Sequence, residues 1–227
     1  MMNFDEQILQ QNYQTVVNQL TTYNEQYNKN TALLAVSKTK PATMIAHLVG
    51  LGQQHFGENY LQEALEKMAA LQELPITWHY IGSIQRNKTK DIAKHFDWVH
   101  TLEREIIATR LNEQRAGLPP LNVLIQVNID DEASKSGCQP DELPKLVSYI
   151  LTCPNLALRG LMVIPSKAGG DAFARTQALF EQIKQSHNPP HWDSLSMGMS
   201  GDMSLAVEHG STMVRVGTAI FGERHYA

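Results

Sequence analysis

The chain has 227 residues, of which 42% are hydrophobic and 19% charged, and a formal net charge of −4 at pH 7. These proportions are ordinary for a globular protein and exclude a disordered or fibrous chain. The small acidic excess argues against a dedicated nucleic-acid binder, which usually carries a basic excess. No apolar run is long enough to span a bilayer, so we expect neither a nucleic acid nor a membrane as partner.

Two features of the sequence favour the cytoplasm. Residues 1–6 are polar and acidic and lack the basic and apolar regions of a secretory signal. Cys138 and Cys153 fit neither a disulfide framework nor a CxxC site, and two free thiols suit a reducing compartment. No linker or shift in composition divides the chain, so we expect one domain over residues 1–227.

In chain order, a polar amphipathic helix comes first, and strands then alternate with helices. The apolar face of this first helix is marked by Ile8, Tyr13, Val16, Val17 and Leu20. The predicted strands are Leu33–Ser37, His55–Glu58, Trp78–Gly82, Trp98–His100, Val123–Asn128, Leu158–Val163, Ser194–Gly198 and Met213–Gly217. The predicted helices between and after them are Thr43–Leu51, Tyr60–Leu71, Lys88–His95, Glu103–Gln114, Asp141–Thr152, Ala172–Gln185, Asp202–His209 and Ala219–Gly222.

Strands that alternate with helices pair in parallel through right-handed crossovers. An open, doubly wound sheet would satisfy the same pattern, but the count of eight strands favours a closed (β/α)8 TIM barrel with an extra N-terminal helix. In such a barrel the chemistry lies at the carboxyl-terminal ends of the strands and in the loops that follow them.

The first predicted strand ends next to Lys38, which places this lysine at the lip of the barrel. A partly desolvated amine there has a lowered pKa and can act as a nucleophile toward an aldehyde. The alternative is a structural lysine that extends its stem along the end of the strand and keeps its charge in water.

The loops after the seventh and eighth strands favour a phosphate site. Ser200–Asp202 and Gly217–Ala219 each combine glycine and hydroxyl residues with the start of a helix, where free N–H groups and the helix dipole attract anions. Barrels commonly bind phosphate at these two loops. Two ordinary helix caps are the alternative.

Arg215 interrupts an apolar strand and alternates with Val214 and Val216, so one face of this strand contains a guanidinium that must be paired if it is buried. It could hydrogen-bond a ring nitrogen or a carboxylate of a ligand, or form a structural ion pair.

Two other patterns in the sequence are weak evidence for a nucleotide site or a metal site. The segment 82–89 lacks the glycine that precedes the lysine of a P-loop. His187 and His191 flank two prolines, which cannot be the helix that an HxxxH metal site needs.

Several blocks of the sequence, in order and over residues 4–226, resemble the YggS/PROSC family of pyridoxal-phosphate-binding homeostasis proteins. The matching segments are 35–41 (AVSKTKP), 56–63 (FGENYLQE), 78–88 (WHYIGSIQRNK), 134–137 (SKSG), 161–165 (LMVIP), 195–203 (LSMGMSGDM) and 210–222 (GSTMVRVGTAIFG). The resemblance implies a barrel like the N-terminal domain of alanine racemase, which is fold type III among proteins that bind pyridoxal 5'-phosphate (PLP).

The resemblance also implies roles for individual residues. Lys38 would hold PLP as an internal aldimine, and Arg215 would approach the pyridine nitrogen. The other predicted cofactor contacts are Ser200, Gly217 and Thr218 around the phosphate, Asn59 and His79 at the ring and the entrance, and Met162 at the end of the sixth strand. No metal ligand and no catalytic residue are predicted.

Two functions remain open at this point. An amino-acid racemase of the alanine racemase type needs two bases, one of them a tyrosine from a second domain. The sequence ends at Ala227, close to the eighth βα unit, so we expect that base to be missing, and Tyr226 could replace it only by chance. A carrier in PLP homeostasis needs no such base. We therefore predict a monomeric PLP carrier that is not an enzyme and that supplies PLP-dependent apoenzymes.

Lys40 and Lys135 would also lie near the barrel mouth. Either could form a transient aldimine while PLP is passed on, although solvated lysines that attract the phosphate are the simpler interpretation.

Overall fold

The structure, a computed structural model, describes residues 5–132, 134–166 and 170–223. Within these residues eight parallel strands pair in chain order, and the eighth pairs back with the first to close a barrel. The predicted (β/α)8 barrel is confirmed, and an open doubly wound sheet is excluded. Tyr226 lies outside the described residues.

The strands and helices alternate throughout. The strands are β1 (Ala32–Val36), β2 (His55–Glu58), β3 (Thr77–Tyr80), β4 (Trp98–Leu102), β5 (Leu121–Gln126), β6 (Leu156–Met162), β7 (Ser194–Ser196) and β8 (Met213–Val216). The helices are α1 (Glu6–Tyr27), α2 (Ala42–Gly50), α3 (Leu61–Ala70), α4 (Thr89–His95), α5 (Glu105–Gln114), α6 (Leu143–Ile150), α7 (Ala172–His187), α8 (Met203–Glu208) and α9 (Thr218–Phe221). A short 3₁₀ helix, Arg86–Lys88, precedes α4.

Several strands end one or two residues before their predicted ends. β1 ends at Val36 rather than Ser37, and β7 ends at Ser196 rather than Gly198. Gly198 has a φ of 95°, a left-handed value that turns the chain out of the sheet. An apolar run continues through such a turn, so hydrophobic patterning alone extends the strand too far.

Helix α1 packs against the outside of the barrel, on α2, α8 and α9. Four of the five residues predicted for its apolar face are buried or half-buried, but Ile8 is 56% exposed and Leu9 is buried instead. The side chain of Asn12 donates to the carbonyl of Ile220 in α9 at 3.3 Å. The first helix therefore supports the short helix that follows β8. No helix among the described residues has the length and apolar composition needed to cross a membrane.

The buried residues on the two sides of the barrel wall differ in polarity. Outside the wall, apolar residues of the strands and helices form one continuous core, which includes Leu33, Ala35, Ile45, Phe56 and Ala64. Inside the wall, the strands contribute buried polar side chains, namely His79, His100, Ser196 and Arg215. An interior that holds hydrogen-bonding groups must pair them, and this requirement shapes the site above it.

Candidate functional site

A cavity of about 230 Å³ lies at the carboxyl-terminal ends of the strands, where the fold class places its chemistry. Seven of the eight predicted site residues line it: Lys38, Asn59, Met162, Ser200, Arg215, Gly217 and Thr218. The remaining wall consists of Val36, Lys40, Ile81, Ile164, Met199, Phe221 and Gly222. Strands at opposite sides of the barrel thus deliver the predicted residues to one space.

Lys38 reaches this cavity because side chains alternate along β1. Leu33 and Ala35 belong to the outer core, whereas Leu34 and Val36 have the opposite orientation, and Val36 lines the cavity. Lys38 continues this second series two residues beyond the end of the strand and is half-buried.

Asn59 follows β2 and holds a close contact with the loop after β3. A Cβ atom on Gly82 would lie 2.1 Å from the carbonyl oxygen of Asn59, so only glycine allows the two backbones to approach this closely. The side-chain oxygen of Asn59 is buried and has no hydrogen-bond partner among the described residues. A buried acceptor without a donor is costly, and a ligand can supply the missing donor.

The loops after β7 and β8 form the side of the cavity predicted to bind phosphate. Thr218 and Ser200 are exposed at its rim. A Cβ atom on Gly217 would lie 3.2 Å from the carbonyl oxygen of Val36, so a larger residue here would press against β1. Asp202 occupies the cap position of α8 without a side-chain bond to the helix, and its carboxylate instead accepts from the N–H of Met199 at 2.5 Å.

Arg215 forms the base of the cavity and is only 6% exposed. Its Nη1 donates to the carbonyl oxygen and to the hydroxyl of Ser196 at 2.7 and 2.8 Å, and its Nη2 donates to the carbonyl of Val163 at 2.8 Å. No carboxylate lies within salt-bridge distance of it in the described part of the chain. The alternative of a structural ion pair therefore does not hold, and neutral oxygens hold this guanidinium. Burial lowers the pKa of Arg215 to about 10, so it stays protonated at neutral pH.

A chain of hydrogen bonds, which we name the histidine chain, lies beneath Arg215 inside the barrel. It consists of His55, His79, His100 and Ser196, with successive distances of 3.0, 2.9 and 2.9 Å between the bonded atoms. Burial lowers the pKa of both His79 and His100 well below the usual value; the charge of Arg215 lowers the pKa of His100 further, and the neighbouring His100 and His55 lower that of His79. Both rings are therefore neutral at physiological pH, and each can donate with one nitrogen and accept with the other.

His79 is the one predicted site residue that does not line the cavity. Its ring is completely buried, and Ile81 occupies the cavity wall two residues further along the chain. Two residues of a strand span between six and seven ångströms, so His79 belongs to the layer below. β3 ends at Tyr80 rather than at the predicted Gly82, which leaves His79 below the cavity wall.

A second network, which we name the charged network, lies outside the barrel wall behind Lys38. It consists of Glu58 at the end of β2, Glu63 and Lys67 on α3, and Ser37 after β1. Lys67 is 5% exposed and donates to Glu58 Oε1 and to the Ser37 carbonyl, each at 2.8 Å, and also to Glu63 Oε1. The Ser37 hydroxyl donates to Glu58 Oε1 at 2.6 Å. This network was not predicted from the sequence, in which the spacing of Glu63 and Lys67 by four residues is the available signal.

The two additional lysines lie in different places. Lys40 lines the cavity, and its ammonium donates to the carbonyls of Phe221 and Glu223 at 3.0 and 2.7 Å. Lys135 lines a neighbouring cavity of about 190 Å³, donates to the carbonyl of Ile164 at 3.1 Å and pairs with Glu132.

The fold and the site match a known family. The sequence model described as "Alanine racemase, N-terminal domain" matches residues 5–225. Alanine racemase from Clostridium difficile superposes with a TM-score of 0.73 at 14% identity, over 97% of this chain and 57% of that one. At this identity the likeness shows the fold alone.

Closer relatives narrow the class. The pyridoxal phosphate homeostasis protein of Pseudomonas aeruginosa is 54% identical over 86% of this chain and 85% of its own length. That of Pasteurella multocida is 50% identical over 96% of both chains. PipY of Synechococcus elongatus, solved with PLP bound, is 35% identical with a TM-score of 0.77, over 90% of this chain and 99% of that one. The chain therefore belongs to the family of pyridoxal phosphate homeostasis proteins.

Proposed function

We propose that this protein binds PLP through the amine of Lys38 and that it stores the cofactor or passes it on, without catalytic turnover. The observation that carries the proposal is the cavity at the barrel mouth, which brings Lys38, Arg215 and the Gly217–Thr218 loop to one space. The name of its relatives and the PLP-bound structure of PipY support it.

The residues of the cavity fit this cofactor. When bound, PLP supplies an aldehyde that condenses with primary amines, a phosphate dianion and a ring with polar substituents. The buried oxygen of Asn59 lacks a donor, which a ligand would provide. Thr218 is exposed at the rim beside Gly217, where its hydroxyl and the adjacent backbone would contact the phosphate.

Arg215 would determine how the ring is held. A guanidinium has five N–H donors and no acceptor, and a pKa of about 10 keeps it charged at neutral pH. Its three hydrogen bonds to Ser196 and Val163 leave donors on Nε and Nη2 without a partner in the described part of the chain. It could therefore only donate to the ring nitrogen of a bound PLP, which would hold that nitrogen unprotonated. Met162 would supply an apolar wall beside the ring.

A carrier suits these observations better than a racemase. Relatives at about half identity carry the name of a homeostasis protein, whereas the alanine racemases share only the fold. We further propose that the protein acts as a monomer in the cytoplasm and that PLP-dependent apoenzymes receive the cofactor. The two buried, unpaired thiols of Cys138 and Cys153 suit a reducing compartment.

The absorption spectrum of purified protein with added PLP tests the cofactor site. We expect a visible band from lysine-bound PLP in the wild-type protein and in Lys94→Ala, which removes an exposed lysine of α4. Lys38→Ala should lack the band, because the stable attachment of the aldehyde is assigned to Lys38, whereas Lys40 and Lys135 are considered only for transient attachment. A wild-type protein without the band, or a band that persists in Lys38→Ala, would contradict the proposal.

An exchange assay distinguishes the carrier from a racemase. Alanine or serine is incubated with PLP-loaded protein in deuterated water, and the loss of the Cα proton is followed by NMR. We expect no exchange above that of free PLP. Exchange at rates of about 1 s⁻¹ or more, which are typical of enzymes, would overturn the carrier function.

A further inference from the structure

Helix α3 contacts the backbone on both sides of Lys38. Glu63 Oε1 accepts the N–H of Thr39 at 2.6 Å, and Lys67 Nζ donates to the carbonyl of Ser37 at 2.8 Å. We propose that Glu63 and Lys67 are positioning residues that hold Lys38 in place for attachment of PLP. This inference rests on the proposed function, since it concerns the same lysine.

The buried ammonium of Lys67 has little freedom to do anything else. An ammonium has three N–H donors, and those of Lys67 go to the Ser37 carbonyl, Glu58 and Glu63. Glu58 is completely buried and also accepts from the Ser37 hydroxyl. The network thus contacts the main chain and the side chain of the residue that precedes Lys38.

Stability alone does not explain so many buried charges at this place. Removing two charges from water is expensive, and apolar residues of similar size often stabilise a fold as well or better. Buried charges with several hydrogen bonds are therefore expected where they fix the position of neighbouring residues. Here the bonds of Glu63 and Lys67 to the main chain end on the two residues that flank Lys38.

The backbone at Thr39 supports the same conclusion. Its φ is 64°, which is a left-handed value and a rare one for a β-branched residue. Such a conformation persists only where the surroundings enforce it. The carboxylate of Glu63 accepts the Thr39 N–H in this conformation and thereby stabilises the turn that begins at Lys38.

The position of the amine governs how readily it attaches PLP. Attachment condenses the neutral amine with the aldehyde, forms one carbon–nitrogen double bond and releases one water molecule. If the Ser37–Thr39 backbone is held, the main chain of Lys38 is already ordered before the ligand arrives, and less entropy is lost on attachment. A loosened backbone should weaken the covalent attachment and leave binding of the phosphate and the ring intact.

The test compares PLP with pyridoxine 5'-phosphate, which has an alcohol in place of the aldehyde and cannot react with an amine. The variant is Glu63→Ala, because the Glu63 side chain is 29% exposed and its removal should leave the protein folded. Glu63→Gln retains an oxygen that can accept from Thr39. Glu66→Ala is the matched control, because Glu66 lies exposed on the same helix and its removal changes the net charge equally.

We expect Glu63→Ala to bind PLP about five- to tenfold more weakly, the factor that one hydrogen bond contributes. Its affinity for pyridoxine 5'-phosphate should be unchanged, and Glu63→Gln and Glu66→Ala should resemble the wild type with both ligands. Unchanged PLP affinity in Glu63→Ala would overturn the inference, and so would an equal loss with both ligands. The proposed function fails separately, if the wild-type protein itself forms no visible band with PLP.

Discussion

The charged network and the histidine chain approach the cavity from opposite sides of the barrel wall. The charged network lies between β2 and α3 and ends at the backbone beside Lys38. The histidine chain crosses the barrel interior and ends at Arg215 through the Ser196 hydroxyl. Each of the two cationic residues predicted to contact the cofactor is therefore backed by its own buried network.

The two networks differ in chemistry. Lys67 has fixed donors and carboxylate acceptors, so this network has one possible direction for its hydrogen bonds. The neutral imidazoles of His79 and His100 can each exchange donor and acceptor nitrogens, so the histidine chain can adopt two directions. Lys38, which is proposed to react with an aldehyde, benefits from a network with a fixed geometry. Arg215 only donates hydrogen bonds, and the carbonyl oxygens of Ser196 and Val163 hold it in addition to the histidine chain.

The pH dependence of stability should have opposite signs in the two networks. Burial raises the pKa of Glu58, although Lys67 and Ser37 oppose the shift. Its folded state binds a proton more tightly than the unfolded chain, so its contribution is lost as pH rises above the usual value of about 4.5. His79 and His100 have lowered pKa values, so their contribution is complete above pH 6.5 and is lost as pH falls below it.

The largest effect is expected when Lys67 is removed from the charged network. Lys67→Met keeps the length of the side chain but leaves the buried carboxylate of Glu58 without a cation, at a cost of about 3–5 kcal/mol at pH 7.5. The difference from the wild type should shrink at pH 5.5, because a protonated Glu58 needs no cation. Urea unfolding at both pH values measures this.

The double variant Glu58→Gln/Lys67→Met is the matched control for that experiment, because it removes both charges. It should recover part of the lost stability and show little dependence on pH. An equal loss for Lys67→Met at pH 7.5 and pH 5.5 would mean that packing, rather than the buried charge, determines the effect.

A smaller effect is expected in the histidine chain. His100→Leu leaves His79 and the Ser196 hydroxyl each without one partner, at a cost of about 1–3 kcal/mol at pH 7.5. The wild type should lose stability below pH 6.5, and the variant should lose up to about 1.4 kcal/mol less for each pH unit. Besides each other, His79 and His100 face His55, Arg215 and the ring of Trp98.

Urea unfolding between pH 5 and pH 8 checks the slope. His95→Leu is the control, because His95 is exposed on α4 and its removal should leave the slope of the wild type. If His100→Leu unfolds with the wild-type slope, the buried histidines do not carry the acid-dependent loss.

The sequence predicted the barrel and most of the cavity for a simple reason. A strand presents alternate residues to one face, and its carboxyl end is marked by the change from apolar to polar residues. This pattern placed Lys38 at one end of the barrel, whereas the cofactor contacts of Asn59 and Arg215 were expected from the family resemblance.

Neither network could be predicted in the same way. His55, His79 and His100 are separated by 24 and 21 residues, and their contact depends on the register of three neighbouring strands. Lys67 looks like an ordinary solvated helix residue, since its spacing from Glu63 also occurs on exposed helices. The depth of each residue below the cavity likewise depends on where its strand ends, and β3 ends two residues earlier than predicted.

The smallest effect is expected where the histidine chain meets Arg215. Ser196→Ala removes the hydroxyl that links His100 to Arg215 but keeps the Ser196 carbonyl, to which Nη1 donates at 2.7 Å. We expect a loss of about 1 kcal/mol in urea unfolding, with the acid slope of the wild type preserved because the histidines stay buried. Ser148→Ala, on the exposed face of α6, should change stability by less than about 0.5 kcal/mol. A loss of stability in Ser196→Ala as large as that in His100→Leu would contradict this expectation. It would show that Arg215 depends on the histidine chain as strictly as Lys38 is proposed to depend on the charged network.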